Sequence, residues 1–186
     1  KTCKFNYYKI LGQYSKGKLM KRKDLVSNRI EAPFVTNIKN VLPEWIDYND
    51  HMNVAYYTLA FDEALDDFLN EMGIGEMYVK SSQNGPYALQ ANYHYLNELL
   101  EGEEFRVRIF LVDVSDKCFH SAMELFNEKD LSVCAVCEQI TMNVDLKIRK
   151  ANNYPDWVKK KFDMMLSSQK DKQLPAQIGK LIGLRH

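Results

Sequence analysis

Cysteine is scarce in this 186-residue chain, which has only Cys3, Cys118, Cys134 and Cys137. Four thiols at irregular spacing over such a length are too few for a disulfide framework, so a reducing compartment is expected. An excess of one charge is also lacking, since 25 basic residues face 25 acidic ones. The chain as a whole therefore has no electrostatic reason to seek nucleic acid or an anionic membrane. No apolar run approaches the ~20 residues that cross a bilayer, which excludes a helical membrane span. Repeats and low-complexity tracts are absent too. What is there is material for a core: 46% hydrophobic and 12% aromatic residues suit one soluble domain with extensions.

Cys134 and Cys137 have the CxxC spacing, but they lie in Leu131–Met142, which reads as a strand. Positions three apart on a strand face opposite sides, so one metal could not take both. Buried structural cysteine is the better reading, and neither a metal nor a cofactor is expected.

The placement of charge says more than its sum. Residues 1–23 carry Lys1, Lys4, Lys9, Lys16, Lys18, Lys21, Arg22 and Lys23, with no acid until Asp24. Mixed with Phe5, Tyr7, Tyr8 and Tyr14, this segment is a remnant of organelle targeting, a surface helix, or an extension packed on the domain. The bias to Lys over Arg favours an extension, with a cytoplasmic location ahead of a mitochondrial one.

The rest reads as α+β. Residues 32–42 have β-branched residues and partial alternation, and should form a first strand ended by Pro43. From Val54 to Met72, Ala55, Leu59, Leu65, Phe68 and Leu69 fall near one side, with Asp62, Glu63, Asp66, Asp67 and Glu71 on another. That predicts a helix of about five turns, stopped at Gly73 and Gly75. Four more strands are expected at Tyr87–Asn97, Glu104–Val114, Lys117–Phe126 and Leu131–Val144, antiparallel because their connections are tight. Pro155–Ser168 predicts a final helix with Trp157, Val158, Phe162, Met165 and Leu166 as its apolar side. The expected divisions are residues 1–30, 31–150 and 151–186: a basic extension, the main domain and a helical extension packed on it. One long helix and one large sheet must bury each other's apolar faces, so the sheet should curve around the helix.

Between the first strand and the long helix lies Asp47-Tyr48-Asn49-Asp50-His51-Met52-Asn53, a carboxylate, two amides and an imidazole within seven residues. Turn and cap needs explain part of it: Asp47, Asn49 and Asp50 are turn formers, and Asn53 is an ordinary helix N-cap. A lone His51 is more often a structural hydrogen-bonding residue, Tyr57 suits a core, and Glu98 suits a solvated strand end. Those needs do not require a histidine between two asparagines together with the later Tyr95-x-x-Glu98.

With Asp47, the run Asp50-His51-Met52-Asn53-Val54, and Tyr57, Asp62 and Glu63 in the helix, the chain resembles hotdog-fold acyl-CoA thioesterases of the 4-hydroxybenzoyl-CoA thioesterase-like group. Tyr95-Leu96-Asn97-Glu98-Leu99, the Gly102-Glu103 turn and the tail from Leu174-Pro175 to Gly179 and Gly183 are similar to the betainyl-CoA thioesterase branch. The resemblance covers residues 33–186 and implies a hotdog fold, a five-stranded antiparallel sheet wrapped around one long helix. It also implies an acyl-CoA substrate and a homodimer or dimer of dimers. Asp47, Asn49, His51 and Glu98 match the Asp-x-Asn-x-His run and later Glu that form the catalytic set of plant acyl-carrier-protein thioesterases, which are similar in this loop. Thioester hydrolysis needs a carboxylate, or water activated by one, and donors for the oxyanion. Asp47 would supply the first, and backbone N–H groups at the helix start, around Asn53 to Tyr56, the second. Val54, Tyr57 and Trp45 join the expected substrate contacts, and the CoA phosphates would meet basic residues such as Arg106, Arg108, Lys117 or Lys147.

Two positions depart from the family. Trp45 stands where many members have an Asp, and Asp50 replaces the usual Gly, which puts a negative charge beside the expected carbonyl site. There it would raise the pKa of Asp47 by repulsion or pair with a cationic acyl group, with Trp45, Tyr48, Tyr56 and Tyr93 as ring faces for the cation. The competing class of function is a hotdog module that binds acyl groups or serves assembly without catalysis.

Overall fold

A helix over Val54–Met72, α1, organises the molecule, and its buried residues explain why. Tyr57, Ala60, Phe61, Ala64, Leu65, Phe68, Leu69 and Met72 recur at helical spacing and form one apolar stripe. The stripe is rotated from the expected one: Ala55 is exposed and Leu59 only half-buried. Asn53 caps its start, its side chain accepting from the Ala55 N–H at 3.0 Å. Gly73 ends it at φ 78°, a left-handed cap that costs glycine little.

The computed structural model describes residues 32–184, so the expected basic extension and Cys3 lie outside the described residues. The strands are β1 (Phe34–Val35), β2 (Lys39–Asn40), β3 (Asn84–Tyr95), β4 (Glu104–Val114), β5 (Cys118–Asn127), β6 (Val133–Asp145) and β7 (Lys150–Ala151). The remaining helices are α2 (Glu76–Ser82) and α3 (Asp156–Ser168). All strand pairs are antiparallel, in the order β1-β4-β5-β6-β3, with β2 also on β4 and β7 on β6.

The long helix and the four long strands lie close to where the sequence put them; the two-residue β7 was not expected, and two further elements differ. The first strand is two short pieces: β1 and β2 both pair with β4, but their registers differ by one residue. Between them the Thr36 Oγ1 accepts the Val107 N–H at 3.0 Å, a side chain standing in for a ladder bond. The second difference is α2, which was not expected; seven residues are too few to show a helical period. Inner-face residues Phe105, Val107, Ile109 and Leu111 of β4, with Phe119, Met123 and Leu125 of β5, pack in one core with the α1 stripe. Phe162 of α3 joins that core, its ring 5.5 Å from Phe119 and 5.3 Å from Tyr154. Among the described residues, no helix is long and apolar enough to cross a membrane.

Candidate active site

The polar cluster sits on a small hairpin held by its backbone. Ile46 and Met52 form an antiparallel bridge. Asp47 N–H donates to the His51 carbonyl at 3.0 Å, and Asp50 N–H to the Asp47 carbonyl at 3.0 Å. Asp50 turns the tip at φ 64°, in the left-handed region where glycine is at ease and Asp is among the tolerated residues. A glycine would adopt that geometry without strain. Two further bonds lock the hairpin to its surroundings: Asn53 N–H to the Trp45 carbonyl at 2.9 Å, and Met52 N–H to the Leu99 carbonyl at 2.8 Å. The second brings the segment after β3, with Glu98, against the loop.

Asp47 lies at the centre of the hairpin, its side chain only 14% exposed. One carboxylate oxygen accepts the Asn49 N–H at 2.8 Å and lies 3.8 Å from His51 Nδ1; the other accepts Asn53 Nδ2 at 3.3 Å. Asn53 thus ties Asp47 to the start of α1. Of the helix-start amides, those of Asn53, Ala55 and Tyr56 are engaged by the Trp45 carbonyl, Asn53 Oδ1 and the Asn53 carbonyl. The Val54 N–H has no protein partner among the described residues and points the positive end of the helix dipole at whatever sits before it.

A cleft of about 250 Å³ opens beside this helix end, lined by His51, Met52, Val54, Tyr57, Tyr95, Leu96, Asn97 and Glu98. The structure therefore brings together four residues singled out in the sequence: His51, Val54, Tyr57 and Glu98. Asp47 stands behind His51, and Asn49 and Asp50 are exposed at the hairpin tip. Trp45 is buried in the core with its ring stacked on Tyr56 at 5.3 Å. The aromatics expected around a cation are likewise elsewhere: Tyr48 is 93% exposed, and Tyr93 packs on Phe61.

Tyr95 is the cleft aromatic that sequence reasoning assigned no role. It meets Tyr57 edge to face at 5.4 Å and stacks on Tyr93 at 6.4 Å. Strand alternation was the available signal, because Tyr93 and Tyr95 share a face of β3. Burial pushes the Tyr57 phenol far above its ordinary range and that of Tyr93 up to about 12, so both stay neutral donors at physiological pH. Tyr57 donates to the Asn97 carbonyl at 3.5 Å.

A larger trench of about 560 Å³ adjoins the cleft, with Leu96 common to both linings. Arg108 and Glu124 lie on its floor, paired at 2.5 Å, and Lys172 to Gln177 form its far wall. Arg106 donates to the Thr36 carbonyl at 2.8 Å and lies 3.9 Å from Glu128, while Lys117 and Lys147 are exposed and outside both linings. Cys134 and Cys137 are buried in β6; burial pushes the Cys137 thiol up to about 12, which makes it inert as a nucleophile. Among the described residues, no group of three or more His, Cys, Asp or Glu side chains is placed to hold a metal ion.

Comparisons with known proteins agree with this architecture. A Pseudomonas aeruginosa betainyl-CoA thioesterase is 27% identical over 144 residues, which cover 77% of this chain and 91% of that protein. A Staphylococcus aureus protein solved in complex with CoA superposes with a TM-score of 0.78 at 24% identity, covering 84% of this chain and 98% of that one. A Synechocystis 1,4-dihydroxy-2-naphthoyl-CoA thioesterase superposes with a TM-score of 0.63 at 14% identity, covering 70% and 95%. The model of the thioesterase-like superfamily matches residues 41–162. With that match spanning the hairpin, α1 and the four long strands, the chain belongs to the thioesterase-like superfamily as a hotdog-fold protein.

Proposed function

We propose that the chain hydrolyses an acyl-CoA thioester to the free acid and CoA at the cleft before α1. The observation that carries this reading is the convergence of His51, Glu98 and Val54, the first residue of α1, on one cleft, with Asp47 3.8 Å from His51. Water attacks the thioester carbonyl carbon as a carboxylate takes its proton. The oxyanion that forms sits on the Val54 N–H, strengthened by the helix dipole. Collapse breaks the C–S bond, and the CoA thiolate leaves and takes up the proton. A thiolate leaves readily, so no strong general acid is required.

Asp47 is the base or nucleophile in this reading, with Asn49 and His51 orienting water and substrate. A second assignment draws on a specific observation: both Asp47 oxygens accept hydrogen bonds from the loop, while Glu98 lines the cleft. There Glu98 takes the proton and Asp47 positions His51 and the helix start. Release of CoA thiol from a panel of acyl-CoAs tests both. Loss of a general base costs about 10²–10⁴-fold in kcat, so Asp47→Asn and Glu98→Gln should separate by which one falls that far. Wild-type rates in both variants would sink the mechanism, and no release from any acyl-CoA would favour an acyl-binding module.

The acyl group is proposed to be small, with a cationic, betainyl-like group favoured. Tyr57 and Tyr95 offer ring faces and Glu98 a carboxylate within one cleft, which is the chemistry that holds a quaternary ammonium. The name of the P. aeruginosa relative supports the same choice. Asp50 lies outside the lining and would act only from the rim. In the same panel, betainyl-CoA should outcompete an uncharged acyl-CoA of equal size, and Tyr95→Leu should erase that preference. The division at residues 30 and 150, a homodimer or dimer of dimers, and a cytoplasmic rather than mitochondrial location belong to the proposal as well.

A further inference from the structure

The cleft before α1 ends at one side chain. Among the described residues, the cleft of about 250 Å³ and the trench of about 560 Å³ have a single lining residue in common, Leu96. Leu96 keeps 42% of its surface exposed between them. Its backbone is fixed: the Leu96 and Asn97 N–H groups both donate to the Cys134 carbonyl, at 2.8 and 3.1 Å, and Asn97 Nδ2 donates to the Val133 carbonyl at 2.8 Å. The partition between the two spaces is therefore a leucine side chain on a backbone that cannot step aside.

The trench beyond it differs in chemistry from the cleft. Pro33, Phe110, Val133, Leu174 and Pro175 give it apolar walls, and the charges on its floor, Arg108 and Glu124, neutralise each other as an ion pair. The polar residues Lys172 and Gln173 of its far wall are exposed to solvent. That wall is tied down at both ends. Before it, Gln169 bonds both the N–H and the carbonyl of Leu111; after it, the Gly179 N–H donates to Glu138 at 2.8 Å. The trench is thus a preformed space whose lining suits hydrocarbon and offers a cation no unpaired carboxylate.

We propose that Leu96 is a specificity-determining residue that confines the acyl group to the cleft, and that the trench behind it is a latent site for the distal methylenes of a longer acyl chain. The inference rests on the reading that an acyl-CoA lies with its carbonyl before Val54. From there an acyl group runs past Tyr57 and Tyr95, and one that outgrows the cleft meets the Leu96 side chain. Shortening that side chain joins the two spaces, because nothing else lines both. The protein's preference for a small acyl group is then a property of one residue rather than of the whole cleft.

Isothermal titration calorimetry with non-hydrolysable S-alkyl thioethers of CoA, from ethyl to decyl, tests it in wild type, Leu96→Ala, Ala176→Trp and the double variant. In wild type, affinity is expected to stop rising once the alkyl chain fills the cleft. In Leu96→Ala it should keep rising, by about fourfold for each methylene moved from water into an apolar lining. Ala176 lines the trench and not the cleft, so Ala176→Trp should keep the wild-type profile alone and restore it in the double variant. Superimposable profiles for wild type and Leu96→Ala would overturn the proposal. So would an equal gain at every chain length, which would put the CoA arm at Leu96, or a double variant that behaves as Leu96→Ala. Thiol release from the matching acyl-CoA thioesters, measured alongside, keeps the two readings apart: no release, with the Leu96-dependent binding profile intact, would overturn the hydrolase and leave the partition standing.

Discussion

At the residue scale, Asp50 shows how a single backbone angle separates two explanations of one side chain. In the sequence it stood out as a charge in the place of a glycine, and its carboxylate invited a role with the substrate. Its φ of 64° makes the position one of conformation first. A residue with a Cβ but no polar group to bond locally pays for that region by about 1 kcal/mol, whereas glycine does not. Asp50→Ala should therefore lower unfolding stability by about 1 kcal/mol in urea titration, and Asp50→Gly should leave it near the wild-type value. If the Gly variant also keeps the substrate preference, the cation selectivity belongs to Tyr95 and Glu98. The reverse result would return it to Asp50. Tyr95 was hidden for the opposite reason: the aromatic was visible, but which aromatics share a wall depends on how β3 meets α1.

At the element scale, α1 was legible to both ends, because a 19-residue helix has room for its period, an Asn cap and a Gly stop to agree. The face it buries was less legible, since Tyr57, Ala60 and Ala64 are small or amphipathic and carry little weight in an apolar pattern. The four long strands were legible from β-branched runs between turn residues. The first strand was not seen as two, because a one-residue slip between β1 and β2 is set by β4 and Thr36 rather than by local preference. Asn53 belongs to this scale, since it is where the loop becomes the helix. Replacing an N-cap by Ala costs about 1 kcal/mol, and here it also frees one oxygen of Asp47. Asn53→Ala should therefore lose about 1 kcal/mol of stability in denaturant titration, and lose kcat by more than Asp50→Gly does. An unchanged kcat would show that Asp47 needs no tether.

At the scale of the whole molecule, buried phenols and thiols set an alkaline limit. Burial raises Tyr93 from 10.0 to about 12 and Cys137 from 9.0 to about 12. The folded chain keeps these protons where the unfolded chain would lose them. Their favourable contribution is complete below about pH 9 and is lost as pH rises from about 9 to 12. Melting temperature should fall across that window, and Cys137→Ala should make the fall shallower; a flat profile would contradict the assignment. The site as a whole was legible only in part. Neighbours in sequence, from Asp47 to Val54, could be gathered by eye, and Glu98 could be added from its pattern. The enclosure of the cleft by Leu96 and Asn97 could not, because it follows from backbone bonds, the Leu96 and Asn97 N–H groups to the Cys134 carbonyl and the Met52 N–H to the Leu99 carbonyl. Those bonds involve no side chain at either end. The frame of the cleft can consequently outlast replacement of its walls, so descendants of this scaffold can change the lining at positions 95 and 96 while inheriting the same backbone frame.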